Sequence, residues 1–178
     1  MRRSVEEAVV LALFDLANHL QRRGEHVAAA AGLTTQQWLV LLQIAGDPNF
    51  PTSARTSKAP VLASDIARGR GVSRATISAV VGALKLRGLI REEADPADRR
   101  RRWLAITVAG IAALSAIEPA RRAANRRLLA DFAPSDRTQM RDYLQRCLAV
   151  LRYVRDDAHL TTVTKRARGT VRPPRRTR

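Results

Sequence analysis

Cysteine is nearly missing from this chain: Cys147 is the only one in 178 residues. A lone thiol excludes an internal disulfide and a cysteine-only metal site. It fits a reducing compartment, and a cytoplasmic, nucleoid-associated protein is the expectation. The three histidines, His19, His26 and His159, are scattered without metal-ligand spacing. Aromatic residues make up only 4%. The core must therefore come from Ala, Leu, Val and Ile, and Ala-rich stripes favour helix over strand. Long apolar runs are missing too. The run Val9–Phe14 follows Glu6 and Glu7 and ends at Asp15. It is far short of the roughly 20 residues of a membrane helix and has the wrong flanks for a signal peptide. There is no Gly-rich phosphate loop, no metal-ligand cluster and no serine flanked by glycines. No enzymatic activity, cofactor, metal or membrane partner is expected.

Acidic residues are also in short supply, 16 against 32 basic ones, for a formal net charge of +16. Most of the basic residues are arginine. A polyanion is the natural partner, because Lys and Arg displace condensed counterions from nucleic acid. The bland alternative is a solubilising tail. Thr161–Arg178 holds seven basic residues and no acid, so the body keeps a net charge of +9 without it. The body is basic as well. Hydrophobic residues at 46% argue against wholesale disorder.

The apolar residues fall into helical stripes. Val5, Val9, Leu13, Leu16 and Leu20 recur at spacings of three and four and predict a helix over 4–23. Ser4 is its candidate N-cap, and the helix can extend to Ala31 if Gly24 permits. Gly32 is a helix stop. Thr34 with Gln37 reads as a capping box for a helix carrying Trp38, Leu41, Leu42 and Ala45 on its apolar face. Trp38 reads as core, with ligand contact as the minority reading. Residues 46–60, with three prolines, form a loop that is long for a helical domain. A short helix over 62–69 and a turn at Gly69–Gly71 lead to Ser73, which caps a helix over Arg74–Arg87. Ile77, Val80, Val81 and Leu84 lie on its inner face, and Gly88 ends it.

Leu89–Ala94 and the alternating residues around Trp103–Thr107 predict two strands across the turn Asp95-Pro96-Ala97-Asp98. A helical pattern over 108–132 is interrupted at Pro119, where a bend is expected. Another helix runs from Pro134 to about Leu160, with Met140, Tyr143, Leu144, Cys147, Leu148, Leu151 and Val154 on one stripe. Thr161–Arg178 has no periodicity and is expected to be disordered in isolation. The apolar stripes of the terminal helices exceed what one small domain covers, so a homodimer that packs them together is expected.

Function concentrates at residues 72–107. The outward positions of the helix after Ser73 are Arg74, Ala75, Thr76, Ser78 and Ala79, with Lys85 near its end. Small and hydrogen-bonding side chains let a helix approach base edges. Arg pairs with guanine, Ser and Thr bond several edges or phosphates, and Ala meets the thymine methyl. The alternative is an ordinary amphipathic helix with a solvated outer face, and a helix-turn-helix pattern alone is common by chance. The turn is more specific. Arg99, Arg100, Arg101 and Arg102 stand side by side after Asp98. Four adjacent arginines repel one another unless carboxylates or a polyanion offset them. An arginine at a hairpin tip suits an A·T-rich minor groove. The alternative there is a solvated charge run.

On these residues the chain resembles the MarR family of winged helix-turn-helix regulators. The matching stretches are GLTTQQWLVLLQIA, LASDIARGRGVSRATISAVVGALKLRGLI and DPADRRRRWLAIT. The family's wing pattern falls on Asp98, Arg100, Ile106 and Thr107, with Ile in place of Leu, and Gly110 matches the glycine that follows. The resemblance covers roughly residues 4–160. It implies a mainly α fold with a small β-hairpin wing, a winged helix-turn-helix domain plus a helical dimerisation region. The domains it implies are a dimerisation helix at 1–31, the DNA-binding domain at 32–107 with the extended loop 46–60 inside it, dimerisation helices at 108–160 and the basic tail at 161–178.

The resemblance further implies a dimeric, sequence-specific transcriptional regulator, in the first instance a repressor. The helix at 73–87 would enter the major groove and the wing near 95–102 the minor groove of a palindromic double-stranded operator. Asp98 would hold a wing arginine, and Arg99, Arg100 and Arg101 would line the wing, with Arg100 as the minor-groove probe. Many members answer to small anionic or phenolic effectors. The long loop at 46–60 departs from the family and leaves the first small strand missing or displaced. Cys147 is not where oxidant-sensing members carry their thiol, so a buried structural role is expected for it. The competing reading is a nonspecific nucleic-acid-binding or chromosome-organising protein, for which charge alone suffices.

Overall fold

The computed structural model describes residues 4–50, 61–96, 98 and 100–168. Most of the loop expected at 46–60, the wing residue Arg99 and the last ten residues of the tail lie outside these. The described chain divides into two compact units, Met1–Arg127 and Leu128–Arg178.

In the first unit, helix α1 (Val5–Ala28) begins at Ser4, whose hydroxyl accepts the Glu7 N–H at 3.2 Å. Glu6 and Glu7 occupy its first turn, where the helix dipole favours anions. The Glu6 carboxyl sits below the usual range because backbone and Ser4 hydrogen bonds favour its charged form. The helix passes straight through Gly24 and tightens into a 3-10 turn over Ala29–Ala31. Gly24 is needed for packing: a Cβ there would lie 2.5 Å from Thr35 Oγ1. Gly32 ends the turn with φ 63°, and Leu33 N–H returns to the Ala28 carbonyl.

Helix α2 (Thr35–Ile44) starts with the expected capping box, Thr34 with Gln37. Its buried face is wider than one stripe and includes Val40, Leu41, Leu42 and Ile44. Ala45, expected inside, is the exposed C-cap. The reason is enclosure: α2 packs against α1, against the helix α4 (Arg74–Leu86) and against the third strand, so most of its circumference is covered.

The long loop does not abolish the first strand. A two-residue strand β1 (Val61–Leu62) pairs with β3 (Arg102–Ile106), and β3 pairs with β2 (Ile90–Ala94). The sheet is antiparallel with order β1-β3-β2. Leu104 faces the core from the central strand, opposite Val61 on one side and Glu92 on the other. Helix α3 (Ala63–Arg70), Gly71 and α4 complete the helix-turn-helix. Ile77, Val81 and Leu84 carry the inner face of α4 into a core with Leu41, Ile66, Leu89, Ile90 and Ile117. Each such side chain contributes about 1.5–3 kcal/mol on burial. As composition requires, no aromatic belongs to the buried set, and Trp38 packs at its margin.

Helix α5 (Val108–Leu128) is capped by Thr107, whose hydroxyl accepts the Gly110 N–H and donates to the Gly88 carbonyl at 2.7 Å. The helix runs unbroken through Pro119. The ring deprives only the Ser115 carbonyl of a donor, and both residues lie on an exposed face where water serves. In the second unit, helix α6 (Pro134–Arg168) outruns its expected end near Leu160. No glycine or proline stands between Pro134 and Gly169 to stop it, so the first part of the expected structureless tail is helical. Cys147 on α6 is exposed, not buried. It sits on a stripe that remains open in the single chain, with Tyr143, Leu148 and Leu151 also exposed. No single helix among the described residues is long and apolar enough to cross a membrane.

Candidate nucleic-acid interface

The α4 helix is fixed from below and open from above. Ser73 Oγ accepts the Thr76 N–H at 3.0 Å and lies 2.7 Å from Thr76 Oγ1, so the cap also orients that hydroxyl. With Ile77, Val81 and Leu84 inward, Ser73, Arg74, Ala75, Thr76, Ser78 and Ala79 are all exposed. These six predicted residues form one surface around the first two turns. Arg74 has no hydrogen bond or ion pair among the described residues. Lys85 stands apart: it is near the far end of the helix, and its ammonium is 2.8 Å from Glu92 on β2. That pair ties the helix to the sheet and partly neutralises Lys85.

The wing tip spans the seven residues between β2 and β3. Its geometry rests on two aspartates. Asp98 Oδ1 accepts the Arg100 N–H at 3.0 Å, and its carbonyl accepts the Arg101 N–H at 2.9 Å. Asp95 is buried, with Oδ1 accepting the Asp98 N–H at 3.3 Å and Oδ2 3.9 Å from Arg101 Nη1. Its own N–H closes the tip onto the Arg101 carbonyl. Asp98 thus holds Arg100 through the backbone, and among the described residues of the tip Asp95 forms a side-chain ion pair with Arg101. Asp95 was legible only as a turn former. The clue to its role was the pairing of two acids with four arginines in DPADRRRR. The Arg100 guanidinium is exposed and has no partner among the described residues. Arg99 lies outside them.

Two further arginines were not singled out by sequence. Arg87, the C-cap of α4, donates to the carbonyls of Gly32 at 2.6 Å and Ala31 at 2.8 Å. Arg70, at the end of α3, is partly buried and donates to Gln36 Oε1 at 3.1 Å. Burial pulls its basicity down from the usual guanidinium value.

Helices α1, α2 and α5 line a half-open cavity of about 360 Å³. Trp38, Leu20, Val27 and Leu39 give it apolar walls, and Arg23 and Arg121 bring guanidiniums to it. Both are already engaged. Arg23 donates to the Ala124 carbonyl and to Asn125 Oδ1, at 3.1 and 2.9 Å. Arg121 pairs with Glu118 and, at 3.9 Å, with Asp47. Trp38 is therefore both a margin of the core and a wall of the cavity. Among the described residues, no three His, Cys, Asp or Glu side chains converge as a metal site.

A profile of the MarR family matches residues 31–101. The transcriptional activatory protein BadR of Rhodopseudomonas palustris is 32% identical over 147 residues, which cover 82% of this chain and 79% of BadR. This chain belongs to the MarR family. It is a MarR-family transcriptional regulator, and its winged-helix architecture is that of solved relatives. A probable transcriptional regulator from Pseudomonas aeruginosa matches with a TM-score of 0.57 at 32% identity, over 75% of this chain and 94% of that one. CouR from Rhodococcus jostii RHA1, solved bound to p-coumaroyl-CoA, matches with a TM-score of 0.68 over 83% of this chain and 96% of CouR. At 21% identity the CouR likeness shows the fold alone. In this MarR-family regulator the small strand that opens the winged sheet is retained at Val61–Leu62 despite the long preceding loop.

Proposed function

We propose that this MarR-family regulator works as a homodimer that binds a palindromic double-stranded operator sequence-specifically. The first two turns of α4 enter the major groove, and the wing, led by Arg100, enters the flanking minor groove. One observation carries this reading. Five exposed, small or hydrogen-bonding positions at the start of α4, Ser73, Ala75, Thr76, Ser78 and Ala79, accompany two guanidiniums, Arg74 and Arg100, that no described group of the protein satisfies. An arginine held on a rigid scaffold without an internal partner suits a phosphate or a base edge. Two-fold symmetry sets the half-sites about one helical turn apart, roughly 34–36 Å. Selection of bound duplexes from a random pool, followed by footprinting, tests it. Recovery of one palindrome supports the reading. Binding that ignores sequence and falls uniformly with salt favours the nonspecific, chromosome-organising alternative.

Repression by occupying the operator is the mode we infer first. The name of BadR, an activatory protein, favours activation as the second reading. A promoter fusion measured with and without the protein distinguishes them by sign.

We also assign effector binding to the cavity bounded by Trp38, Arg23 and Arg121. Apolar walls with a few polar groups are the usual make-up of a small-molecule site. A small anionic or phenolic compound fits that lining, and its charged group would compete with Glu118 and Asn125 for the two guanidiniums. Titrating the operator complex with such compounds, and watching for release, tests the assignment.

A further inference from the structure

Helix ends leave carbonyls without intrahelical donors and carry the negative end of the helix dipole. At the end of α1, the Gly88-like closure at Gly32 satisfies the carbonyls of Ala28 and Ala29 through Leu33 and Gly32 N–H groups. The next carbonyls, of Ala31 and Gly32, point away from the helix. Both are taken by one side chain, Arg87, at 2.8 and 2.6 Å. Arg87 is itself the C-cap of α4, directly before the corresponding closure, where Gly88 N–H meets the Lys85 carbonyl and Leu89 N–H meets that of Leu84. The fork of a guanidinium spans two acceptors, which the single ammonium of lysine does not.

We infer that Arg87 is a positioning residue for DNA reading: it clamps the C-terminal end of α4 to the α1–α2 junction and so fixes the pitch at which α4 meets the groove. This rests on the reading of α4 as the DNA-reading helix. Two observations distinguish a clamp from a DNA contact. The guanidinium is occupied by backbone acceptors 55 and 56 residues away in sequence. It lies at the end of the 13-residue α4 opposite Ser73 and Arg74, about 20 Å along the axis at 1.5 Å per residue. The inward residues Ile77, Val81 and Leu84 hold α4 in the core, but apolar contacts are non-directional. A two-pronged hydrogen bond at one end adds an angular restraint toward α1 and α2, beside the Lys85–Glu92 pair on the sheet side. A small error in pitch displaces the outward side chains from base edges while leaving general charge attraction intact.

The experiment uses the full chain and the operator that the wild type selects from a random duplex pool. Arg87→Lys keeps the charge and loses the fork, and Arg87→Gln loses both. Operator affinity, affinity for a scrambled duplex, the salt slope and the thermal midpoint are measured for each. We expect both variants to bind the operator about tenfold more weakly, the order lost when one base pair is misread. Scrambled-duplex affinity and salt slope should stay at the wild-type values, with the variants folded at the assay temperature. Wild-type operator affinity in Arg87→Lys overturns the clamp. So does an equal loss on both duplexes with a salt slope in Arg87→Gln lower by about 0.9, which marks a phosphate contact. Variants unfolded at the assay temperature also overturn it, because Arg87 would then serve the fold alone. A wild type that selects no sequence overturns the reading of α4 itself, a failure distinct from that of the clamp.

Discussion

Helices α4 and α6 both carry apolar residues at helical spacings, and the two stripes have opposite fates. In α4 the stripe Ile77, Val81 and Leu84 is 1%, 5% and 0% exposed. In α6, Tyr143, Leu148 and Leu151 are 53%, 49% and 67% exposed. The chain encloses α4 with α2, α3 and β2: short turns join α3 and β2 to it, and α2 packs on it from across the long 46–60 loop. It supplies no such cover along α6 from within the second unit. The same pattern thus specifies a core where neighbours in sequence return to it, and an unpartnered face where they do not. Exposed stripes of this kind mark association surfaces in soluble proteins. Stability should therefore reside in the first unit and association in the open stripes, and each prediction bears on that division.

The largest expected effect is Leu84→Ala, which empties a site with no exposure. It should lower stability by about 2–5 kcal/mol in a denaturant or thermal melt. A loss comparable to that of a surface substitution would show that α4 is not the centre of the core. Next is Gly110→Ala. A Cβ at Gly110 would stand 2.2 Å from the Leu89 carbonyl, where α5 crosses the start of the wing sheet. We expect about 1–3 kcal/mol of destabilisation from that forced displacement. On the other side of the comparison, Leu148→Glu should leave the melt of the folded unit nearly unchanged. It should weaken dimer association by more than 1 kcal/mol if the stripe lies in the dimer interface. Sedimentation at micromolar concentration reads this directly, and an unaltered dimer mass would remove the association role of α6.

Arg100→Ala tests the wing without touching either side of that division. Operator affinity should fall by about 1 kcal/mol or more, with a melt within about 0.5 kcal/mol of the wild type. Unchanged affinity in a gel-shift titration would exclude Arg100 as a probe of the groove. The smallest effect is Glu118→Gln. Hydrogen bonds from Arg122 and Arg121 hold the Glu118 carboxyl below the usual range. A depressed carboxylate contributes stability above its unfolded pKa and loses it as pH falls through the folded value. The site is solvent-accessible, so the contribution is about 0.5 kcal/mol or less at neutral pH. Wild type and variant should therefore differ slightly at pH 7 and converge in acid, once the pH has fallen below the lowered folded value.

Local signals were legible to the residue. Ser4, Thr34 with Gln37, and Ser73 cap helices as their side-chain chemistry dictates, and Gly32 and Gly88 end them with positive φ. The wing register follows from alternation around Leu104. What escaped the sequence depends on contacts distant in the chain. Ala45 matched the stripe but falls where the helix closes, while Val40 and Ile44 are buried because α1, α4 and β3 converge on α2. Pro119 reads as a breaker, yet the one carbonyl it deprives faces solvent. Cys147 was expected inside because its stripe is apolar, and an open stripe leaves it exposed. Asp95 pairs across the wing tip with one of four adjacent arginines, which composition hints at without choosing among them, and Arg87 acts on a partner 55 residues away that no local spacing announces.

The two tryptophans divide the molecule optically. Trp38 stands in the cavity wall, and Trp103 lies on the central strand of the winged sheet, paired with Glu93 and Leu62. The chain has no third. Trp103→Phe would leave a single indole reporting on the cavity, and Trp38→Phe a single indole reporting on the wing. Emission from the two variants, followed during titration with a small molecule and then with duplex, would time events at the two places independently and without an attached dye.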